Sequence, residues 1–404
     1  MINKPPRLIV FSSLYPSSCR PNAGVFIRER MSRVATVCPL VVISPVPWFP
    51  FQGLIRFWKP NYRPQPEAFE QQDAIAVYFP RFLSIPGLFR SWDGCFMALC
   101  CIPLLHRLNR KFGFDLIDAH FAYPDGYAAT LLGRWFHAPV TITLRGTEVP
   151  LSKIPERKRL LLNALERAAK IFSVSDSLKQ HVVALGAKAD KIEVVGNGVD
   201  TDKFHAIDKI DARRRLNISE KAQVLISVGG LVERKGFHRI LQILPDLIER
   251  YPNLIYLIVG GECPEGNIRA RLEQQVVSLG LSPHVRFLGA MSSTDLNVPL
   301  SAADIFVLAT SNEGWANVFL EAMACGLPVV TTDVGGNREV VANSRLGYIV
   351  PFGDSVALTE AIESALSSHW DRNTIVAYAY ENAWDNRIAV LVDEFRKLML
   401  NKAE

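Results

Sequence analysis

The chain has 404 residues, of which 49% are hydrophobic and 21% charged, and its formal net charge is +5. This balance excludes a disordered or fibrous protein, and the length predicts two folded domains rather than a single core. The charge is small for the length, so it does not indicate a nucleic-acid partner, although it suits an anionic substrate or a lipid surface.

The cysteines and the apolar segments predict where the protein resides. Seven cysteines are scattered without metal-ligand spacing, and an odd number with the adjacent Cys100 and Cys101 is unsuited to a disulfide framework. The first apolar run, Leu8–Phe11, is too short for a signal peptide and predicts a strand. The longest run, Cys95–Leu105, is shorter than the ~20 residues of a membrane-spanning helix and predicts a buried or interfacial helix. We therefore expect a cytoplasmic protein.

Short β-branched runs alternate along the chain with longer segments of helical period, which is typical of parallel sheets covered by helices. In the first half the predicted strands are Leu8–Phe11, Leu40–Ile43, Ala76–Phe79, Leu116–Ala119, Val140–Leu144, Ile171–Val174 and Ile192–Val195. In the second half they are Val224–Val228, Leu254–Val259, Val285–Leu288, Ile305–Leu308, Pro328–Thr331 and Tyr348–Val350, with predicted helices at Phe237–Arg250 and Asp354–Ser367.

Residues 48–63 interleave bulky apolar side chains with Arg56, Lys59 and Arg63. This pattern is typical of a segment that enters a membrane interface. It is equally typical of a surface loop that packs some of its aromatic side chains internally. The sequence leaves both interpretations open, so peripheral contact with the inner face of the membrane is one expectation for this segment.

The two halves are joined by a turn at Asn197-Gly198, followed by a polar segment that extends to about residue 222. We therefore predict one Rossmann-like domain over residues 1–200 and a second over residues 201–380. The last helix, predicted near residues 382–400, carries an apolar stripe at spacings of four and three residues, so residues 381–404 are expected to pack back on the first domain.

Ligands of open parallel sheets bind at the carboxyl ends of the strands, so the loops after the strands are the candidate sites. Residues 311–330 follow a strand and predict a helix that begins near Asn317, whose unpaired amides and dipole favour a phosphate. Asn317 and Glu321 share a face of that helix, where the carboxylate suits vicinal hydroxyls. Glu313 lies just before the helix, within reach of sugar hydroxyls. A lone glutamate is more often a solvated surface residue, but the strand, glycine and helix together indicate a site.

A second loop, from Gly229 to Gly236, follows the strand that opens the second half. Glycines allow the backbone to approach a diphosphate, and Arg234 and Lys235 supply cationic donors for its oxygens. Alone, such a loop is often a solvated turn. It matches neither the phosphate-loop pattern nor G-x-G-x-x-G, and the missing G-x-G-x-x-G counts against a nicotinamide-dependent dehydrogenase.

Together these motifs resemble the donor domain of family 4 glycosyltransferases (glycosyl transferases group 1), which are retaining enzymes of the GT-B fold. The similar features are Glu313 and Glu321 separated by seven residues, the run Glu-Ala-Met-Ala-Cys-Gly-Leu-Pro-Val-Val that begins at Glu321, Gly335-Gly336 with Glu339, and Lys235-Gly236. They cover most of residues 192–352 in the expected order. The resemblance implies an α/β protein with two Rossmann-like doubly wound domains that face each other across a cleft.

The resemblance also implies roles for individual residues. Lys235 is expected to contact the donor diphosphate, Glu321 the ribose, and Glu313 the transferred sugar or its phosphate. Many relatives carry Arg where this chain has Gly230. The full donor site is expected to comprise Gly24, Gly229, Gly230, Arg234, Lys235, Glu313, Gly314, Trp315, Ala316, Asn317, Val318 and Glu321.

The first half resembles the same family more loosely. Asn22-Ala23-Gly24-Val25 is similar to the glycine loop over the donor phosphates, while residues 120–126 and 144–148 are similar to loops that face the transferred sugar. The resemblance implies an acceptor side with Asp125, Arg145 and Glu148, although many relatives have His where Arg145 stands. A lone histidine is more often structural, but His120 follows a strand at its carboxyl end, so it is a candidate catalytic residue beside Lys235 and Glu313.

Asp200-Thr201-Asp202 matches the metal motif of a different glycosyltransferase architecture, but it lies in a turn at the domain junction and is interpreted as structural. A cationic loop and a helix dipole can neutralise a departing diphosphate, so we expect neither a metal nor another cofactor. The nucleotide-diphosphate-sugar is then a co-substrate.

The resemblance implies a retaining glycosyltransferase of hexosyltransferase type, which moves a sugar to a glycan or lipid-linked acceptor in cell-surface polysaccharide or glycoconjugate synthesis. Three alternatives are a sugar-nucleotide epimerase on the same fold, a non-catalytic sugar-nucleotide-binding protein, and the dehydrogenase. The sequence leaves the base, the sugar, the acceptor and the linkage open.

Overall fold

The computed structural model describes residues 4–59, 62–87, 90–263 and 265–400. The chain divides into two compact units. The first runs to Asn197 and is joined by the chain from Arg387 onward, and the second runs from Gly198 to Asn386.

The first unit is built on a mostly parallel sheet. Its strands are β1 (Leu8–Phe11), β2 (Leu40–Ile43), β3 (Val46–Trp48), β4 (Phe69–Gln72), β5 (Ile75–Tyr78), β6 (Arg81–Leu83), β7 (Leu116–His120), β8 (Val140–Leu144), β9 (Lys170–Ser173) and β10 (Ile192–Val194). Its helices are α1 (Val25–Ala35), α2 (Gln52–Ile55), α3 (Asp93–Lys111), α4 (Tyr127–Phe136), α5 (Glu148–Ser152), α6 (Pro155–Arg167) and α7 (Asp176–Ala184). Among the described residues, eight strands form one sheet in the order β10-β9-β8-β7-β1-β2-β5-β4, and β3 pairs separately with β6.

The second unit repeats the pattern with a parallel sheet in the order β13-β12-β11-β14-β15-β16. Its strands are β11 (Val224–Val228), β12 (Ile255–Val259), β13 (Val285–Gly289), β14 (Ile305–Leu308), β15 (Val329–Thr332) and β16 (Gly347–Val350). The remaining helices are α8 (Lys209–Arg215), α9 (Phe237–Arg250), α10 (Arg269–Ser278), α11 (Asn297–Ala302), α12 (Asn317–Ala324), α13 (Asn337–Val340), α14 (Ser355–Ser367), α15 (Arg372–Glu381) and α16 (Trp384–Leu400).

Two Rossmann-like parallel sheets are therefore present, as predicted. The central strands coincide with the apolar runs of the sequence. Helices cover both faces of each sheet, so the side chains on both faces of these strands are buried. In β1 and β11, for example, every residue is buried.

The prediction omitted β3, β4 and β6, and it placed β5 one residue too late, at Ala76–Phe79. β4 is an antiparallel edge strand with the sequence Phe-Glu-Gln-Gln, and β3 and β6 each have three residues. Strands this short or this polar carry no hydrophobic period that distinguishes them from a loop.

The apolar run Cys95–Leu105 lies in α3, as the prediction of a helix requires. Met97, Cys101 and Leu105 are fully buried, whereas Leu99 on the other side is 62% exposed. Within the described part of the chain, no helix is both long enough and apolar enough to cross a bilayer.

The last helix, α16, begins at Trp384, two residues later than predicted, and packs with the first unit as expected. Phe395 on α16 meets Phe172 of β9 edge to face, with ring centroids 5.8 Å apart. Beside this contact, Nζ of Lys170 lies 2.9 Å from a carboxylate oxygen of Glu394. The apolar stripe on α16 thus has a partner on the first sheet.

Candidate active site

In the loop after β11, the side chain of Lys235 folds back over Gly229 at the start of the same loop. A Cβ atom built on Gly229 would lie 3.4 Å from Cε of Lys235, so the lysine side chain passes over this glycine. Gly236 has a φ of +76°, and a Cβ there would lie 1.9 Å from the carbonyl oxygen of Ala309. A glycine is therefore required at 236, both for the left-handed backbone and for the close approach to the loop after β14.

The loop after β14 presents Glu313, which is only 8% exposed. Its Oε1 accepts hydrogen bonds from Nζ of Lys235 at 2.5 Å, from Nη1 of Arg234 at 3.2 Å and from the Thr310 hydroxyl at 3.2 Å. Three donors on one oxygen hold the carboxylate in a single position. Glu313 and the basic turn are therefore in direct contact, although 78 residues separate Lys235 from Glu313.

The loop after β15 supports Glu313 from its backbone side. Gly335 has a φ of +52°, and a Cβ atom there would lie 1.7 Å from the carbonyl oxygen of Glu313. The N–H of Gly336 donates to the same carbonyl at 3.3 Å. Loops after β11, β14 and β15 thus meet at one edge of the second sheet, the edge where the strands end.

Helix α12 begins at Asn317, as predicted, directly after this loop. The residue before it, Ala316, makes no side-chain cap for the first-turn amides. Asn317, Val318 and Glu321 are half-buried, and each of the two polar ones has a partner. The indole Nε1 of Trp315 is buried and has no hydrogen-bond partner among the described residues.

In the first unit, His120 and Arg145 form a second polar group. Nε and Nη2 of Arg145 lie 3.2 and 3.1 Å from Nδ1 of His120, and its Nη1 donates to Oδ1 of Asn197 at 3.2 Å. Because Nδ1 accepts from a guanidinium, the ring proton is on Nε2. His120 is fully buried, and burial together with Arg145 and Arg30 holds its pKa well below the ordinary value, so the ring is neutral at physiological pH.

Glu148 and Asp125 fix backbone segments in the same unit. Glu148 is fully buried, and its carboxylate accepts from the N–H groups of Ala122, Arg145 and Gly146 at 3.1, 3.2 and 2.8 Å. Asp125 accepts from the N–H of Ser13 and, at 3.0 Å, from its hydroxyl. Burial raises the pKa of Asp125 to about 7.

Gly24, the predicted donor-side glycine of the first half, immediately precedes α1. Its φ is +69°, and a Cβ there would lie 2.3 Å from the carbonyl oxygen of Leu14. Gly24 and Asp125 therefore act on the same β1–α1 loop, at Leu14 and Ser13.

Asp200 makes hydrogen bonds within its own turn. Its Oδ1 accepts from the N–H groups of Asp202 and Lys203, both at 3.2 Å. Within the described residues, no group of three or more histidine, cysteine, aspartate or glutamate side chains is placed to hold a metal ion.

The sequence did not point to several residues of these clusters. Thr310 lies two residues after the end of β14, and its place just beyond a central strand was an available signal. Glu265, which binds Arg234, and Arg30, which lies near His120, gave no signal, because nothing local to either residue distinguishes it from a surface charge or a helix residue.

Comparisons with known proteins agree with these features. Residues 208–382 match the family described as glycosyl transferases group 1, and residues 57–203 match glycosyltransferase family 4. The chain is 33% identical over 307 residues to a D-inositol 3-phosphate glycosyltransferase of Corynebacterium urealyticum, covering 70% of this chain and 72% of the relative.

Two further proteins are similar over nearly the whole chain. The putative teichuronic acid biosynthesis glycosyltransferase TuaC of Bacillus subtilis is 27% identical, over 95% of this chain and 92% of TuaC. The crystal structure of Anabaena HepE in complex with UDP superposes with a TM-score of 0.73 at 18% identity, over 97% of this chain and 100% of HepE, which shows a shared fold. The chain therefore belongs to family 4 of the glycosyltransferases and is a glycosyltransferase of the GT-B fold.

Proposed function

We propose that the protein is a retaining glycosyltransferase that moves a sugar from a nucleotide-diphosphate-sugar to a glycan or lipid-linked acceptor, in the synthesis of cell-surface polysaccharide or glycoconjugate. The observation that carries the proposal is the contact of Lys235 and Arg234 with Glu313, directly before α12. The name of TuaC, a putative teichuronic acid biosynthesis glycosyltransferase, supports a role in polysaccharide synthesis.

The chemistry of this edge suits a departing diphosphate. Breaking the bond between the sugar and the diphosphate leaves negative charge on the phosphate oxygens, which cations and uncapped helix amides stabilise. Lys235 and the first amides of α12 supply both kinds of donor. The Lys235 side chain is 13% exposed, so its charge acts with little screening by water. We propose that this charge stabilisation requires no metal.

Retention follows, in this proposal, from attack by the acceptor on the face that the diphosphate leaves. The Glu313 carboxylate is held by Lys235, Arg234 and Thr310 rather than placed as a nucleophile, which supports a route without a covalent sugar–enzyme intermediate. The leaving phosphate then takes the proton of the acceptor hydroxyl.

The test begins with a thermal-shift screen of nucleotide sugars, because a bound donor stabilises the folded protein, and at one donor concentration the stabilisation increases with affinity. The stabilising donor is then incubated with and without candidate acceptors, and the anomeric configuration of the product is read by NMR. A product with the donor's configuration, formed only with acceptor, is expected. An inverted product would contradict retention, conversion without acceptor would indicate an epimerase, and absence of turnover with every donor would indicate a binding protein.

We also propose that residues 48–63 bind a membrane surface; residues 60 and 61 of this segment lie outside the described residues. Phe51, Phe57 and Trp58 are 80–82% exposed, and Leu54 is 55% exposed. Two of the basic residues hold the backbone of the segment in place. Nη2 of Arg56 donates to the carbonyl of Arg63 at 2.8 Å, and Nη1 of Arg63 donates to the carbonyl of Ser84 at 2.5 Å.

Aromatic side chains held outward beside basic residues favour a membrane interface, where a lipid-linked acceptor would be found. Other side chains of the segment pack internally, as Phe49 does against Tyr62 with ring centroids 6.5 Å apart. We expect co-sedimentation with anionic liposomes, and substantial loss of it in the double variant Phe57→Ser, Trp58→Ser. The control is Trp135→Ser, which removes a tryptophan that is 60% exposed elsewhere in the unit. Equal sedimentation of both variants would contradict the proposal.

A further inference from the structure

Arg234 is held by a carboxylate that the resemblance does not assign. Its Nε and Nη2 donate to the two carboxylate oxygens of Glu265 at 2.6 and 2.8 Å, a two-point contact of the kind that guanidinium makes with phosphate. Its remaining nitrogen, Nη1, reaches Oε1 of Glu313 at 3.2 Å. All three guanidinium nitrogens of Arg234 are therefore engaged by carboxylate oxygens.

A tight turn after β12 carries Glu265 to this position. The N–H of Cys263 donates to the carbonyl of Gly266 at 3.1 Å, and the reverse hydrogen bond is 2.9 Å long. The turn packs on Gly230: a Cβ atom built there would lie 2.9 Å from Sγ of Cys263. Because Gly230 lacks a side chain, the turn approaches the β11 loop closely enough for Glu265 to reach Arg234.

The two carboxylates at the basic turn differ in how firmly they are held. Glu313 is buried and receives three hydrogen bonds, whereas the Glu265 side chain is 52% exposed and is held by Arg234. The two-point geometry makes this contact stronger than a typical exposed ion pair, but both side chains remain open to water, so another anion can reach Arg234 and replace the carboxylate. Glu265 is thus the partner of Arg234 that another anion can displace.

The charges at this edge balance each other. Arg234 and Lys235 contribute two positive charges, and Glu265 and Glu313 contribute two negative charges. A nucleoside diphosphate that reaches the basic turn must displace the Glu265 carboxylate from Arg234 or lie beside it, and both arrangements oppose binding.

We propose that Glu265 competes with the donor diphosphate for Arg234 and so sets the affinity of the site for diphosphates relative to monophosphates. The proposal rests on the proposed donor site. In a bound diphosphate, the second phosphoryl group takes the place of the Glu265 carboxylate on the Arg234 guanidinium. A monophosphate lacks this second phosphoryl group and so does not compete with Glu265 for Arg234.

The experiment compares full-length wild type with Glu265→Gln and Glu265→Ala by isothermal titration calorimetry. Each protein is titrated with UDP, GDP and ADP and with the matching monophosphates, at low and at high salt. The control is Glu273→Gln, because Glu273 makes a similarly exposed contact with Arg269, at 2.8 Å on α10. Thermal unfolding verifies that each variant is folded.

We expect both Glu265 variants to bind the preferred diphosphate roughly three- to tenfold more tightly than wild type, with a gain that shrinks at high salt because screening weakens the repulsion. The affinity of the Glu265 variants for monophosphates should change by less than about twofold. The diphosphate affinity of the Glu273→Gln variant should also stay within about twofold of wild type. Diphosphate binding that is unchanged or weaker in both Glu265 variants would overturn the competition while leaving the donor site in place. An equal gain for monophosphate would overturn the selectivity. Absence of binding by all of these proteins would overturn the donor site as well.

Discussion

Lys235 and Glu313 show how much of the candidate site depends on individual side chains. The carboxylate of Glu313 positions the ammonium group of Lys235 at 2.5 Å, and the Thr310 hydroxyl fixes the carboxylate in turn. The role of Lys235 in diphosphate departure and that of Glu321 in ribose binding remain predictions. The two roles can be measured separately, because the first affects the rate of transfer through the transition state and the second affects the affinity for the nucleotide.

Lys235→Ala should lower the rate of transfer by roughly 10²-fold, because in the proposed mechanism the lysine stabilises the departing diphosphate. Glu321→Ala should instead weaken nucleotide binding, measured by calorimetry, by roughly tenfold through the lost hydrogen bonds to hydroxyls. Lys221→Ala and Glu249→Ala, two exposed residues of the same unit, serve as controls. Unchanged activity and binding in both site variants would refute the placement of the site.

At the scale of elements, the β1–α1 loop is fastened by a buried acid that precedes α4. Asp125 is 1% exposed and accepts from the N–H and the hydroxyl of Ser13. Burial raises the pKa of this carboxyl to about 7, against about 4 for an aspartate in an unfolded chain. The folded protein therefore retains a proton between these values that the unfolded chain has released.

The sign of the resulting pH dependence follows from that difference. Between about pH 4 and about pH 7 the folded state binds more protons, so the free energy of unfolding falls as the pH rises. Asp125→Asn mimics the neutral acid and removes this slope. Its stability relative to wild type should increase by up to roughly 3 kcal/mol across the window, measured by urea unfolding. The exposed variant Asp190→Asn is the control, and parallel profiles for wild type and Asp125→Asn would contradict the prediction.

At the scale of the whole molecule, the chain returns to its first unit at the end. The last helix, α16, begins in the second unit and contributes Phe395 and Glu394 to contacts with β9. Phe395 is 1% exposed. The chain from Arg387 onward therefore belongs to the first unit, although the second unit, Gly198 to Asn386, precedes it in the sequence.

Phe395→Ala should destabilise the first unit by roughly 3–5 kcal/mol, because it removes a buried aromatic ring and leaves a cavity against Phe172. Val390→Ala, on the same helix at a side chain that is 42% exposed, should change stability by less than about 0.5 kcal/mol. Limited proteolysis during thermal unfolding identifies which unit opens first. Equal effects of the two substitutions would show that α16 does not support the first unit.

The amino-acid sequence alone was sufficient to predict two parallel sheets, most of their strands and the start of α12 at Asn317. These features follow from local periods of apolar residues and from local turn residues, which act over a few positions. The same information predicted that the basic turn and the Glu313 loop share a sheet edge, since parallel strands end together. It did not predict β4, whose polar sequence carries no period.

The contacts inside the site required the folded chain. Lys235 and Glu313 are 78 residues apart, Arg234 and Glu265 are 31 apart, and Asp125 and Ser13 are 112 apart. Which of several nearby charges pair, which are buried and which remain exchangeable depends on how loops from different strands pack against one another. Pairing and burial are therefore properties of the tertiary structure, because they arise from distances in space that no local pattern of residues encodes.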